Sequence, residues 1–189
     1  DEAKRCGDIV KNLLFFARTD TGTYIRTDVG DTITRCIRLI QHKADMQQVA
    51  ITPNIECERC EISCDPNQIQ QMLLALIINS IEAMPDGGTI QITIDVYNGI
   101  AELTVKDNGP GIEENIISTI FEPFVTTKEE GVGTGLGLSI VYGIVKRHKG
   151  DIKVMSESGR GTAFRILLPV EGPNADASIH ISPNNSIAT

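Results

Sequence analysis

The seven-residue apolar run from Met72 to Ile78 constrains the fold more than any other feature of the sequence. Asp65-Pro66 precedes the run with the capping and first-turn residues of a helix, and the turn-forming residues Pro85 to Gly88 follow it. The pattern predicts a helix that begins after Asp65 and ends at Met84. Because this helix is apolar on nearly every side, other elements must surround it.

The other helices are predicted from apolar stripes at helical spacing. One stripe covers residues 4–18 and is followed by a linker that begins at residue 19. A second stripe predicts a helix over 31–46 with Asp31 as its cap. A third predicts a helix around 138–145.

Strands are predicted where apolar and polar residues alternate. Residues 90–97 alternate strictly, and Asn98-Gly99 supplies a two-residue turn into the next strand. A second hairpin is predicted over 152–168, and the segments 49–56 and 61–64 are interpreted as short strands of a hairpin. Helices and antiparallel hairpins in separate blocks predict an α/β sandwich, with helices on one face of a mixed sheet.

Charge and hydropathy exclude two classes of function. A net charge of -8 and a pI near 4.9 leave no concentrated basic face, so no nucleic-acid partner is expected. No apolar run approaches the roughly 20 residues of a membrane-spanning helix. The chain is therefore expected to be cytoplasmic, although a longer parent protein could be membrane-anchored.

The five cysteines are an odd number and are interpreted as reduced thiols. Cys57, Cys60 and Cys64 form a cluster whose spacing could suit a metal or a redox pair. No second CxxC motif and no nearby His completes a set of four ligands. We interpret the three as ordinary residues of the predicted hairpin, with a metal or redox role as the alternative.

Asn79 closes the apolar run and is the first candidate for chemistry. An unsatisfied buried amide costs about 1–3 kcal/mol, so a polar partner is expected. Its carbonyl oxygen suits a hard cation such as Mg²⁺, which also takes ligands from substrate phosphates and water. Glu82 and Ala83 follow on the same side of the helix. The alternative is an asparagine at the helix end that bonds to backbone.

Two glycine-containing segments are further candidates. Asp107 stands where a predicted strand stops, and Gly109 and Gly111 let the backbone approach a flat ligand whose exocyclic amine the carboxylate can bind. Glycines at alternate positions from 131 to 137 lead into a helix and free backbone N–H groups for phosphate oxygens. A polar turn and a solvated loop are the alternatives. No Gly-Lys pair or GxGxxG spacing supports a P-loop or a Rossmann site.

The segment between them contains Phe121 and Phe124, which bracket Pro123 and are predicted to form an apolar anchor at a lid hinge. Lys128 lies just before the glycines, where it can reach a phosphate. A solvated surface lysine is the alternative.

Taken in order, these four segments resemble the N, G1, F and G2 boxes of sensor histidine kinases, within the GHKL family of ATP-binding proteins. The segment SGRGTAF resembles the family's last glycine motif, and IVKNLLFFAR resembles the end of a dimerisation helix in kinases of the nitrogen-regulation type. The resemblance covers roughly residues 22–170. It implies a Bergerat α/β sandwich at 21–170, preceded at 1–20 by part of the dimerisation and phosphoacceptor helix. Residues 171–189 are predicted to be a disordered tail.

The resemblance also implies roles for individual residues. Asn79 is expected to ligate Mg²⁺, and Asp107, assisted by Thr162, to bind the adenine amino group. Catalysis is expected to involve Asn79, Glu82 and Lys128, the last as part of an ATP lid. The other residues expected to contact ATP are Ala83, Gly109, Gly111, Ile112, Phe124, Thr127, Gly133, Thr134, Gly135, Leu136, Gly137 and Leu138.

Two residues depart from the family pattern. Members often carry a second Asn one turn before the metal ligand, and this position is Ala75. Glu82 stands where other members carry a cation, so it is expected to orient metal-bound water or to pair with Lys128.

A phosphoacceptor is not found among the three histidines. The family's acceptor His is followed by an acidic residue and, a few positions on, by a Pro, and His42, His148 and His180 lack these neighbours. Each is interpreted as structural or exposed. The resemblance therefore implies a kinase domain that transfers the γ-phosphate of ATP to a His outside this fragment, for relay to an Asp of a response-regulator receiver domain. The parent protein is expected to be a homodimer, and the fragment is expected not to autophosphorylate.

Two alternative functions remain. One is a non-kinase GHKL ATPase that drives a conformational switch, but such proteins use a Glu before the Asn to activate water, and Ala75 occupies that place. The other is a serine kinase of the anti-sigma type. The LLFFAR segment disfavours it, because those kinases lack a dimerisation hairpin.

Overall fold

The structure is a computed structural model that describes residues 23–126 and 134–173. The predicted helix at 4–18 and residues 174–189 of the predicted tail lie outside these ranges. The helices are α1 (Val29–Met46), α2 (Pro66–Ala83), α3 (Glu114–Ile117) and α4 (Gly137–Arg147). The strands are β1 (Ile25–Asp28), β2 (Val49–Ile55), β3 (Glu61–Cys64), β4 (Gly88–Tyr97), β5 (Ile100–Asp107), β6 (Asp151–Glu157) and β7 (Gly161–Pro169).

A five-stranded mixed sheet forms one layer of the molecule, in the order β2-β4-β5-β7-β6. Only the β2–β4 pair within this sheet is parallel, and β1 and β3 form a separate antiparallel pair. Alternate residues of the central strands, such as Ile92, Leu103 and Ile166, are buried in the core. The helices pack on this apolar face, which confirms the predicted α/β sandwich.

Helix α2 occupies the middle of the helical layer and contacts both α1 and α4. Asp65 caps its start by accepting hydrogen bonds from the N–H groups of Asn67 and Gln68, and Pro66 follows in the first turn. Residues 72–77 of the apolar run are all buried. Each buried Leu or Ile contributes about 1.5–3 kcal/mol, so this run is a major source of stability. The helix predicted from these residues is confirmed.

The predicted β4–β5 hairpin is also confirmed. Asn98 and Gly99 have φ angles of 50° and 77°, as a type I′ turn requires, and the register places Tyr97 opposite Ile100. Strands β6 and β7 form the second predicted hairpin.

Helix α1 begins two residues earlier than predicted, and its cap is Asp28 rather than Asp31. The Asp28 carboxylate accepts from the N–H groups of Gly30 and Asp31 at 2.8 and 3.3 Å. Asp31 lies in the first helical turn, where its charge favours the positive end of the helix. The sequence contains two acidic residues near this helix start, Asp28 and Asp31. Because β1 ends at Asp28, the helix begins directly after it and Asp28 becomes the cap.

The hairpin predicted for 49–56 and 61–64 is wrong, although both strands form. Strand β2 pairs in parallel with β4, whereas β3 pairs with β1, which lies in a segment with no predicted strand. The intervening loop instead connects to the start of α1, because the N–H of Val29 donates to the carbonyl of Cys60 at 3.0 Å. Each strand therefore pairs with a strand that is distant in sequence, although a short loop connects β2 to β3.

The expectation of reduced thiols is wrong for two cysteines. Cys57 and Cys60 form a disulfide with a Cα–Cα distance of 5.6 Å, within the normal range. Cys36 and Cys64 are free and buried, and burial raises the pKa of their thiols to about 12 and about 11. In the part of the chain that the structure describes, no group of three His, Cys, Asp or Glu residues is arranged to hold a metal.

His148 joins the end of α4 to the start of α2. It is buried, its Nε2 accepts from the N–H of Asp65 at 3.1 Å, and Nδ1 lies 2.9 Å from the carbonyl of Ile144. Since the Asp65 N–H must donate, Nδ1 carries the proton. The structural role predicted for His148 is confirmed, and His42 is exposed on α1 as expected.

The first residues of the predicted tail are ordered. The N–H of Ser63 donates to the carbonyl of Val170 at 2.7 Å, and Gly172 packs against Ser63 with a φ of 75°. Residues 171–173 therefore extend the fold along β3. None of the helices within the described ranges has the length and apolar character needed to cross a bilayer.

Candidate functional site

Asp107 lies at the end of β5 and is the most elaborately hydrogen-bonded group of the candidate site. Its side chain is buried, with 5% exposure. One carboxylate oxygen accepts from the Ser80 hydroxyl at 2.8 Å, and the other accepts from the N–H groups of Gly109 and Thr162 at 3.0 and 3.1 Å. All three partners donate, so the carboxylate is held as an acceptor, and a ligand that binds to it must offer a further donor.

The glycine turn after Asp107 has no room for side chains. A Cβ on Gly111, whose φ is 75°, would lie 2.2 Å from the carbonyl oxygen of Glu157. A Cβ on Gly109 would lie 3.0 Å from the Met84 side chain and 3.1 Å from the Asp107 carboxylate. The turn therefore packs tightly between the end of α2 and the β6–β7 hairpin, and only glycine fits there.

Ile112 and Thr162 belong to the same wall of the site. The N–H of Ile112 donates to the Ser156 hydroxyl at 2.8 Å, which lies 3.0 Å from the Thr162 hydroxyl. This chain of hydrogen bonds links the turn after β5 to β6 and β7. The structure thus brings together the four residues predicted around Asp107, namely Gly109, Gly111, Ile112 and Thr162.

Asn79 lies in the last turn of α2, half-buried, beside the start of α4. A Cβ on Gly137 would lie 3.4 Å from its Nδ2 atom and 3.7 Å from its Oδ1 atom. No hydrogen bond joins the amide to another residue of the described ranges. The alternative of an asparagine bonded to backbone is therefore not supported within the described ranges.

The N-terminus of α4 offers backbone donors. Helix α4 begins at Gly137, as the sequence predicts, and Leu136 at its cap position makes no side-chain capping hydrogen bond. The first N–H groups of a helix have no partner within the helix and favour negative charge. Thr134 and Leu138 flank this segment, and a Cβ on Gly135 (φ 64°) would lie 2.5 Å from the Phe124 backbone.

The predicted apolar anchor is correct for Phe121 and wrong for Phe124. Phe121 packs on Tyr142 with ring centroids 5.5 Å apart. Phe124 is 75% exposed and has a φ of 68°, and its N–H donates to the carbonyl of Gly135 at 3.0 Å. Its backbone is thus fixed to the glycine segment while its side chain remains open to solvent. Thr127, Lys128 and Gly133 lie outside the described residues.

Glu82 has a partner that the sequence did not indicate. Its carboxylate pairs with the Lys43 ammonium of α1 at 2.6 Å. The expected pairing with Lys128 cannot be placed, because Lys128 lies outside the described residues. Ala83 is half-buried at the end of α2, next to the buried Met84.

Residues 64–172 match the family model described as histidine kinase-, DNA gyrase B- and HSP90-like ATPase. The chain belongs to this ATPase family. The matched residues include every element from α2 to β7, and hence all the candidate-site residues described above except Lys43.

The curated relatives of this ATPase domain include sensor kinases. Sporulation kinase E of Bacillus subtilis (strain 168) is 38% identical over 170 residues, which are 89% of this chain and 23% of the relative. The sensor histidine kinase ZraS of Escherichia coli (strain K12) is 33% identical over 169 residues, 89% of this chain and 36% of the relative. This chain spans 21–40% of the first three relatives that it matches.

Solved structures with the same fold include histidine kinases. The catalytic domain of histidine kinase ThkA matches with 30% identity and a TM-score of 0.72, over 78% of this chain and 96% of that chain. ThkA in complex with the response regulator protein TrrA matches with 26% identity and a TM-score of 0.71, over 89% of this chain and 48% of that chain. The resemblance to sensor histidine kinases and the predicted fold are confirmed.

Four side chains of this ATPase domain escaped prediction. Ser80 and Met84 belong to the same short motif as Asn79, NSIEAM. Their closeness to Asn79 in the sequence was the signal that could have identified them. Ser156 lies opposite Thr162 in the β6–β7 register, so a correct hairpin register could have found it. Lys43 carries no local signal, since its partner Glu82 lies 39 residues away.

Proposed function

We propose that this domain binds Mg²⁺–ATP and, within a sensor histidine kinase, transfers the γ-phosphate to a His outside this fragment. The observation that carries the proposal is the buried Asp107 carboxylate, whose protein partners all donate. The exocyclic amine of adenine supplies the further donor that this carboxylate can accept. Gly109, Gly111 and Ile112 would line the face of the base.

The phosphates would bind at the start of α4. Gly135, Leu136, Gly137 and Leu138 would present backbone N–H groups, with the positive end of the helix adding to the attraction. Thr134, Phe124 and three residues outside the described ranges would complete the contacts to ATP. Those three are Thr127, Lys128 and Gly133.

Asn79 would hold the Mg²⁺ that accompanies the nucleotide. Its half-buried amide lies against Gly137 and has no hydrogen bond to another described residue, which fits an oxygen ligand for a hard cation. When bound, Mg²⁺ neutralises charge on the phosphates. Phosphoryl transfer depends mainly on such positioning and charge neutralisation, and therefore suits a site built of backbone donors and one amide.

The proposed partners follow from the relatives. Both curated relatives described above are named as kinases, which favours kinase activity over a conformational switch. ZraS is named as a sensor histidine kinase, which favours a histidine kinase over an anti-sigma-type serine kinase. The ThkA–TrrA complex supports a response-regulator receiver domain as the protein that takes the phosphate onward. A phosphoacceptor helix, in a homodimeric parent protein whose kinase domain is cytoplasmic, would be the immediate acceptor.

Calorimetric titration with ATP and Mg²⁺ tests the nucleotide site. The wild-type chain should bind ATP, and Asp107→Asn should weaken binding at least about tenfold, because an amide replaces an acceptor that several donors surround. Asp151→Asn, which alters a surface ion pair at the far end of α4, is the control and should bind as the wild type does. Thermal melting would verify that each variant folds. A wild-type chain that takes up no nucleotide would overturn the proposal.

A further inference from the structure

The ion pair between Lys43 and Glu82 links the last turns of α1 and α2. The Lys43 Nζ atom lies 2.6 Å from Glu82 Oε1, and the two side chains are 40% and 34% exposed. An isolated surface pair of this kind contributes about 0–1 kcal/mol to stability. Stability alone is therefore a weak reason for this arrangement.

The position of the pair connects it to the candidate site. Glu82 follows Asn79 by three residues on α2, so both side chains lie on one face of the helix, a single turn apart. Asn79 in turn lies against Gly137 at the start of α4. A carboxylate so close to a proposed polyphosphate site would repel the ligand unless a cation accompanied it.

We infer that Lys43 binds the terminal phosphate of ATP and that Glu82 positions it. The inference rests on the proposed function. An ammonium group has three donors, of which one is directed to Glu82, and its partial exposure leaves the others accessible. A lysine fixed by a carboxylate loses less freedom when it binds a phosphate, which favours an already oriented cation. ADP lacks the terminal phosphate, so Lys43 should discriminate between the two nucleotides.

Calorimetry with Mg²⁺–ATP and Mg²⁺–ADP on the full chain tests this role. Lys43→Met should weaken ATP binding about tenfold and ADP binding less than about twofold, because a charge-assisted contact is lost only with ATP. Lys146→Met is the matched control. Its ammonium pairs with Asp151 at 3.0 Å with side-chain exposures of 44% and 31%, at the opposite end of α4, and this variant should bind both nucleotides as the wild type does.

The double variant Lys43→Met/Glu82→Gln separates phosphate binding from charge cancellation. If Lys43 contacts the phosphate, the double variant should regain only the affinity that the unpaired Glu82 charge removes, and should still bind ATP more weakly than the wild type. Full recovery of wild-type ATP affinity in the double variant would mean that Lys43 only cancels the Glu82 charge, and would overturn the inference. So would equal ATP affinity of Lys43→Met and the wild type. A wild-type chain without nucleotide uptake would instead defeat the proposed function, and this inference with it.

Discussion

Ser80 shows how one side chain can set the chemistry of a neighbouring carboxylate. Its hydroxyl donates to one Asp107 oxygen, while the N–H groups of Gly109 and Thr162 donate to the other. A carboxylate surrounded by donors recognises a further donor and disfavours an acceptor. The site should therefore accept the 6-amino group of adenine and reject the 6-oxo group of hypoxanthine.

The variant Ser80→Ala should bind ATP about five- to tenfold more weakly, because the Asp107 oxygen loses one of its fixed donors. Inosine triphosphate, which already binds poorly, should be affected little, so the preference for ATP should shrink. Competition between the two nucleotides in a fluorescence displacement assay measures this preference. Replacing the exposed Ser118 by Ala is the control. Equal losses for both nucleotides would show that Ser80 acts on the fold and not on base recognition.

At the scale of secondary-structure elements, the sequence correctly predicted the features that depend on contacts between neighbouring residues. The alternation in 90–97, the Asn98-Gly99 turn and the Asp65-Pro66 helix start were all correct, because each depends on residues that are neighbours in sequence. The pairing of β2 with β4 and of β3 with β1 was missed. Which strands pair depends on which strand edges the rest of the fold leaves unpaired. A short window of sequence does not contain that information.

The same distinction between local signals and long-range contacts applies to the candidate site. Asp107 and Asn79 could be proposed from the sequence because a polar residue at a strand or helix end is a local signal. The contacts of Ser80 with Asp107 and of Lys43 with Glu82 span 27 and 39 residues, respectively. The apolar character of Phe124 is a local signal that predicts an anchor, whereas its 75% exposure depends on the surrounding fold.

The β5–β7 pair contains a charged cluster with a pH dependence that can be predicted. Arg165 donates to both oxygens of Glu102 at 2.6 and 2.7 Å, and the Tyr97 hydroxyl also donates to that carboxylate. The hydrogen bonds from Arg165 hold the pKa of Glu102 below its usual range, against the opposing effect of burial. A carboxyl with a lowered folded-state pKa adds stability above its unfolded value and loses it as the pH falls through the folded value.

The variant Glu102→Gln should therefore be less stable than the wild type at pH 7, by about 0.5–1 kcal/mol after solvent screening is allowed for. This difference should shrink as the pH falls below the unfolded-state value near 4.5. Thermal melting of both proteins between pH 7 and 3.5 measures it. Glu157→Gln, which removes a partner of Arg160 in a more exposed pair, should show little difference at any pH. A Glu102→Gln deficit that stayed constant with pH would contradict the assigned cause.

The chain as a unit contains a nucleotide site but no matching acceptor among its histidines. His148 is buried between α2 and α4, where its two ring nitrogens are engaged, and His42 lies on the outer surface of α1. His180 lies outside the described residues. None is followed by the acidic residue and proline of a phosphoacceptor motif. The proposed activity therefore requires a second polypeptide segment that carries the acceptor.

Incubation with ATP labelled at the γ-phosphate tests whether this chain binds the nucleotide while a separate segment accepts the phosphate. The chain alone should bind the nucleotide without becoming labelled, whereas a separately supplied dimerisation helix with a phosphoacceptor His should acquire acid-labile phosphate. Asp107→Asn should lower that transfer about tenfold or more at ATP concentrations below saturation, because it weakens nucleotide binding. An acceptor helix with His replaced by Gln should remain unlabelled. Transfer to a Ser of a partner would give acid-stable phosphate and would indicate a serine kinase. Robust acid-labile label on this chain itself would mean that one of its own histidines accepts the phosphate, contrary to the burial of His148 and the sequence around all three.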